Sequence, residues 1–239
     1  IPSSSSSSFT VRSQAELSAL EGLTEIDGNL EIMAPELTSL SALHALERIG
    51  GNLVISHCSS LTDLSGFSNL QEVGGRVTFS HNAGLRSLEG IEQLTHTGAY
   101  LYISENEQLR SLEGLNQLQA VGGSLLLWAN PQLTDLRALN SLETIDGDLK
   151  VIDNSALESL EGLSPTTAQS ITISNNPSLR TLGTLGTIEQ LTGDLNINGN
   201  LALTDLAGLH GLSRIQGELT LHHNTALQSL TGLEALTHI

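Results

Sequence analysis

Both tyrosines of the chain, Tyr100 and Tyr102, lie two residues apart, and its one tryptophan is Trp128. Leu126 follows Tyr102 by 24 residues and the one lysine, Lys150, follows Leu126 by 24. Rings of this kind stack on apolar or sugar faces, and an ammonium beside them supplies a cation. A second group, His57, His81 and Glu105, repeats the same spacing of 24. Two imidazoles and a carboxylate suit a borderline metal such as zinc. The single cysteine, Cys58, can form no intramolecular disulfide and is no zinc site alone. None of these groups can act together unless residues one spacing apart meet in space.

A repeat provides that meeting. The second apolar residue of each L-x-I triplet is Ile32, Ile55, Phe79, Ile103, Leu127, Val151, Ile173, Ile197 and Leu221, in steps of 22 to 24. The shared pattern is G-x-L-x-I-x-x-N-x-x-L-x-x-L-x-G-L-x-x-L-x-x-I. A period in the low twenties implies a solenoid with one coil per repeat. Alternation in L-x-I marks a short strand with one face inward. Equivalent strands then stack as a parallel sheet, about 4.8 Å apart. Leu85, Leu88, Ile91 and Leu94 recur at every third position, which fits short extended or 3₁₀ segments and turns.

Three further columns read as structural. Asn82, Asn106, Asn130, Asn154, Asn176, Asn200 and Asn224 recur after the strand, where stacked amides can satisfy backbone groups at the turn. Cys58 shares that column and is expected to replace Asn as a buried weak donor. Gly66, Gly90, Gly114, Gly162, Gly208 and Gly232 mark tight turns or special dihedrals. The column Ser39, Asp63, Ser87, Ser111, Asp135, Ser159, Thr181, Asp205 and Ser229 suits capping of turns by short oxygen side chains. Its Asp residues are separated by Ser-bearing coils, whereas calcium needs six or more oxygens close together.

The pattern, with Asn and Cys interchanging in one column, resembles the leucine-rich-repeat superfamily, and within it the receptor L-domain type. The opening FTVRSQAELSALEGLTEIDGNLEI is similar to the usual start of such domains. The resemblance covers residues 9–239. It implies a right-handed, parallel β-helix-like repeat of about nine coils. It also implies a place among receptor ectodomains, fungal cell-wall proteins and bacterial surface proteins, hence an extracellular or cell-surface location. The paired-Cys caps of the receptor ectodomains are absent, which leaves a bacterial or cell-wall type of protein as the nearer likeness.

On the outward columns of the sheet, Tyr100, Tyr102, Leu126, Trp128 and Ile152 fall on three consecutive coils of one face, with Lys150 beside them. Such a face is expected to bind a protein, peptide or glycan. The alternative is a rigid spacer or cell-wall and adhesin repeat with no ligand on this segment. Of the metal candidates, His57, His81 and Glu105 border the Asn turn, where polar residues are expected anyway. Ala34, Ala129 and Gly199, read in the same column, impose no metal requirement on it. His222 and His223, adjacent on a strand, should point in different directions. No nucleophile elbow, phosphate loop or H-E-x-x-H motif is present, so no enzyme and no cofactor is expected.

Composition narrows the partners. There are 26 acidic residues against 9 basic ones, a formal net charge of −17, which argues against nucleic acid and against an anionic membrane surface. The longest apolar runs are five residues, as in Leu125 to Ala129, too short to insert in a bilayer. Aromatics are 3 % of residues while hydrophobics are 38 %, so the core is an aliphatic stack. Residues 1–8, Ile-Pro and six Ser, read as a linker or processed terminus. Ser13 and Glu16 form a capping-box pattern before Leu17 and Leu20, predicting a short helix over the first coil. The chain stops where another strand is due, so the solenoid is expected to continue or be capped beyond residue 239, with flanking domains in a larger protein. The short step containing Pro165 should bend or tighten one corner.

Overall fold

The computed structural model describes residues 4–239. The nine L-x-I triplets, preceded by Phe9–Val11, form ten strands, from Phe9–Val11 and Leu30–Ile32 through Leu101–Ser104 to Leu219–His222, hydrogen-bonded in chain order as one parallel sheet. The register pairs Leu101 with Val77 and Leu125, and Ile103 with Phe79 and Leu127. The two apolar residues of each triplet are therefore stacked inward. The core they enter is nearly all Leu, Ile and Val, with Phe67 and Phe79 fully buried. Burying such side chains stabilises by about 1.5–3 kcal/mol each, and the stack runs the length of the solenoid.

Opposite lies a second parallel sheet that the sequence hardly announces. Seven two-residue strands, from Ser4–Ser5 and Glu25–Ile26 to Thr144–Ile145, pair in order. Two residues carry too little alternation to be recognised as a strand. Ser4–Ser5, expected to lie in a linker, pair with Glu25–Ile26 instead, since backbone pairing needs no apolar side chain; residues 1–3 lie outside the described residues. The remaining side is built of turns and single 3₁₀ segments such as Ser65–Phe67 and Arg137–Leu139. The predicted helix is Gln14–Ser18. Ser13 caps the Glu16 N–H, and Glu16 accepts from Arg12 N–H, one residue earlier than in an ideal box.

The asparagine column is a continuous buried ladder. In each coil, the Asn Nδ2 donates to the carbonyl of the preceding coil's strand: Asn106 to Phe79 (3.0 Å) and Asn130 to Ile103 (2.9 Å). Its Oδ1 accepts the backbone N–H of the preceding Asn: Asn130 from Asn106 at 3.2 Å, Asn154 from Asn130 at 3.1 Å. Cys58 takes the same place. Its Sγ accepts from Ala34 N–H at 3.5 Å and lies 3.5 Å from Ser56 O.

That contact corrects one column assignment. Ala34 is stacked on Cys58, in the Asn column, and not in the column of His57 and His81. The step of 23 between Ile32 and Ile55 reflects loss of the left-handed residue that His57, His81, Glu105 and Ala129 supply in their coils, with φ of 53 to 57°. The step of 22 has another origin. The coil holding Pro165 is shortened after Leu163, and there the second sheet is reduced to a Thr144–Thr167 bridge before resuming with Gln190–Leu191 and Arg214–Ile215.

Turn chemistry follows the expected columns. All nine oxygen side chains from Ser39 to Ser229 accept the N–H two residues on, as Ser87 does from Glu89 and Asp135 from Arg137. In the glycine column, Gly114 has φ +111°, and a Cβ there would run into the Leu88 carbonyl.

Asn130→Ala leaves the Asn106 N–H without its acceptor inside the core and strips the Ile103 carbonyl of one of its donors. Urea unfolding should show a loss of about 2–5 kcal/mol, against less than about 0.5 for the exposed Gln132→Ala; equal effects would disprove the ladder's weight. At Asp63, desolvation raises the pKa, but hydrogen bonds from Ser65 and the Thr62 hydroxyl outweigh it and hold the carboxyl below its ordinary 3.8. Its stabilisation is thus present above that value and lost as pH falls through the lower folded one. The stability gap between wild type and Asp63→Asn should shrink below about pH 4.

Candidate functional site

The outward face of the ten-stranded sheet is set by register. Tyr102 lies between Thr78 and Leu126, and Leu126 between Tyr102 and Lys150. Because those strands are fixed on both sides by backbone pairing and below by the core, the exposed side chains stand on a rigid floor. Tyr100 is 57 % exposed and is among the few large apolar or aromatic side chains so open. Tyr100, Tyr102, Leu126 and Lys150 close around one groove of about 240 Å³, together with Arg76, Thr78 and Ser124.

Trp128 and Ile152 are adjacent by register but outside the groove's lining. They stand one column along, where Ser56, Ser80, Ser104 and Ser174 are buried in other coils. The Trp128 indole N–H donates to the Asp153 carboxylate at 2.9 Å. Lys150 Nζ is held 2.9 Å from Asp148. Arg76 was readable in the sequence as the cation preceding Tyr100 by one coil, but its role as a groove wall needed the coordinates.

A second side-chain ladder crosses this face just before the strands. Asn29 accepts the Asn52 N–H at 2.8 Å and Asn52 the Arg76 N–H at 2.9 Å. Ser124 serves Asp148, Ser170 serves Asp194, and Asp194 serves Glu218. The ladder lapses at the groove, and again at Ser170, where the Asp148 carboxylate holds Lys150 instead. Arg76 carries only donors, and Tyr100 places its hydroxyl at the far end of a ring. The N–H groups of Tyr100 and Ser124 are left without that acceptor.

The histidine column is geometrically different from a metal centre. His57 and His81 stack with centroids 4.6 Å apart and planes at 8°, and His81 Nε2 lies 3.0 Å from Glu105. Left-handed backbone at all three positions aims the side chains along the solenoid as a ladder, so parallel rings do not converge on one point. Among the described residues, no three His, Cys, Asp or Glu side chains gather as a metal set. His222 and His223, expected to diverge, meet edge to face with their Nδ1 atoms 2.8 Å apart. The left-handed turn at His223, φ 57°, breaks the strand alternation that would have separated them.

A polar cleft of about 600 Å³ opens where the short coil thins the second sheet, lined by Thr166, Thr167, Gln169 and Glu189 among others. It gathers hydroxyls, amides and the Asp146 and Glu189 carboxylates, and the Thr166, Thr167 and Thr187 hydroxyls donate to backbone carbonyls. No helix is long and apolar enough to cross a membrane among the described residues.

The sequence of residues 22–109, and again of 99–184, matches the family model described as Receptor L domain. The two spans overlap at 99–109, as a continuous repeat allows, and together cover more than half of the 239 residues. No curated protein matches the chain.

Cys58 is fully buried, and burial pushes its thiol pKa up against the opposing backbone contacts of Ala34 and Ser56. The folded protein should therefore resist iodoacetamide at pH 8 and react only in denaturant. Stoichiometric alkylation of the native protein would show that the coil opens at Cys58.

Proposed function

The chain belongs to the receptor L-domain family, and from that premise we propose that it is a non-enzymatic recognition module of the cell surface or extracellular space. It binds its ligand, a protein, peptide or glycan, on the outward face of the ten-stranded sheet. The observation that carries this reading is the groove between Tyr100, Tyr102 and Leu126 on a floor that cannot yield. Exposed rings on rigid backbone lose little conformational entropy on contact and bury large area. Trp128 and Ile152 extend the apolar contact one column beyond the groove, and Lys150 flanks it.

A non-catalytic role is supported by the titratable groups. Those with shifted pKa values are Cys58, a ladder rung, and Asp63, a turn cap. Cys58 lies in no cleft, and Asp63, although it lines an open cleft with Ser65, Glu89 and Glu92, has its carboxylate engaged by the Ser65 N–H and the Thr62 hydroxyl of its own turn; catalytic groups with shifted pKa values stand free toward a substrate. The acidic surface elsewhere excludes phosphate-rich partners.

The test is titration of glycan and peptide panels, read by Trp128 fluorescence, against Tyr102→Ala and Leu126→Ala. Both side chains point outward, so circular dichroism and the melting temperature should stay near wild type. Affinity for a bound panel member should fall by about 30-fold or more in each variant. Binding that survives both substitutions would place the ligand elsewhere and favour a spacer role for this face.

A further inference from the structure

We propose that the groove takes a sugar ring bearing a single carboxylate, with Arg76 as the residue that pairs with it. The proposal rests on the reading of this face as the recognition surface and names the ligand's class. It begins from charge. In a protein of net charge −17, cations are expected to find carboxylates, and Arg48, Arg137 and Lys150 do so. The other six of the nine cations make no ion pair among the described residues, and of those six Arg76 is the one on the groove wall. A guanidinium offers a planar fork matched to a carboxylate.

Beside it the acceptor ladder has lapsed at two successive coils, as it does once more at Ser170, where Asp148 holds Lys150 instead. The N–H groups of Tyr100 and Ser124 lack the side-chain oxygen that serves the same position at Asn52, Arg76, Asp148, Asp194 and Glu218. Oxygens of a bound ligand would supply what the sequence withholds there. The groove thus presents donors on one side and the faces of tyrosine and leucine on the other, which is the polarity of a sugar acid.

Size and topology favour a ring over a chain. A volume of about 240 Å³ is below the roughly 300–1,000 Å³ of drug-sized pockets. The strands under it, Val77–Ser80, Leu101–Ser104 and Leu125–Trp128, are paired on both sides, so no free edge exists there for an extended peptide to join. The charge is single because Lys150 is already held by Asp148, and the acidic surround repels a polyanion.

Calorimetry of the whole protein would use glucuronate-, galacturonate- and sialate-terminated oligosaccharides, their methyl esters, and tetraglutamate. At least one sugar acid should bind about tenfold or more tightly than its ester, and added salt should narrow the gap. Arg76→Gln should bring the acid's affinity down to that of the ester, and Tyr102→Ala should weaken both. Equal binding of acid and ester, or indifference to Arg76→Gln, overturns the carboxylate while the ring-binding face stands. Arg76-dependent binding of tetraglutamate without sugar binding overturns the sugar. If no probe shows a dependence on Tyr102, both this inference and the recognition face fall together.

Discussion

Everything in this molecule depends on one obligation: the polar backbone at the inner turn of each coil must be satisfied by the coil next to it. Buried N–H and carbonyl groups cannot be left unpaired without a cost of about 1–3 kcal/mol each. The Asn rungs meet that obligation by donating to one neighbour's strand and accepting from its next rung, as Asn130 does with Ile103 and Asn106. A rung must therefore recur where the next coil presents the same backbone. The coil length follows from this, and so does the alignment of every other column. Cys58 satisfies the rule by a weaker version of the same bond.

Once the columns are aligned, inside and outside separate cleanly. Inward positions have a narrow choice, since each must pack on its own equivalents above and below, hence the nearly uniform Leu and Ile. Outward positions answer to nothing in the coil except the two neighbours in their column. That freedom lets Tyr100, Tyr102, Leu126 and Arg76 differ from the Asn, Ser and Thr of other coils without disturbing the scaffold. The same rigidity explains why a shallow groove can be selective: its walls are side chains and its floor is backbone that is already paired.

Much of this was legible in the sequence because identity, and not just polarity, repeats. The Asn column, the turn-capping oxygens and the outward placement of Tyr102, Leu126 and Lys150 all come from counting. Counting fails where a coil changes length, because a deficit in a step does not say where the residue is missing. Ala34 was set beside His57 for that reason, and only its contact with Cys58 moved it to the Asn column. It fails also where two residues suffice for pairing, as at Ser4–Ser5, and where backbone turns left-handed, as at His223. Within the site, column positions were readable but closure was not. Trp128 and Ile152 share the face yet stand outside the groove, and the solitary charge of Arg76 emerges only once every carboxylate has a position.

The coil holding Pro165 bears on how the stack behaves as a cooperative system. Solenoid stability is close to a sum of coil and nearest-neighbour terms, and here one neighbour term is thinned: a single bridge replaces the paired strands of the second sheet. Between Thr144–Ile145 and Gln190–Leu191 the two flanks are coupled mainly through the long sheet, the Asn ladder and the core. Such a seam is where a one-dimensional array divides into separately melting segments. Except for Lys150, which stands on the first strand of the seam coil itself, the groove lies on the N-terminal side of the seam, so fraying of the C-terminal coils can proceed without loosening its tyrosines and Arg76.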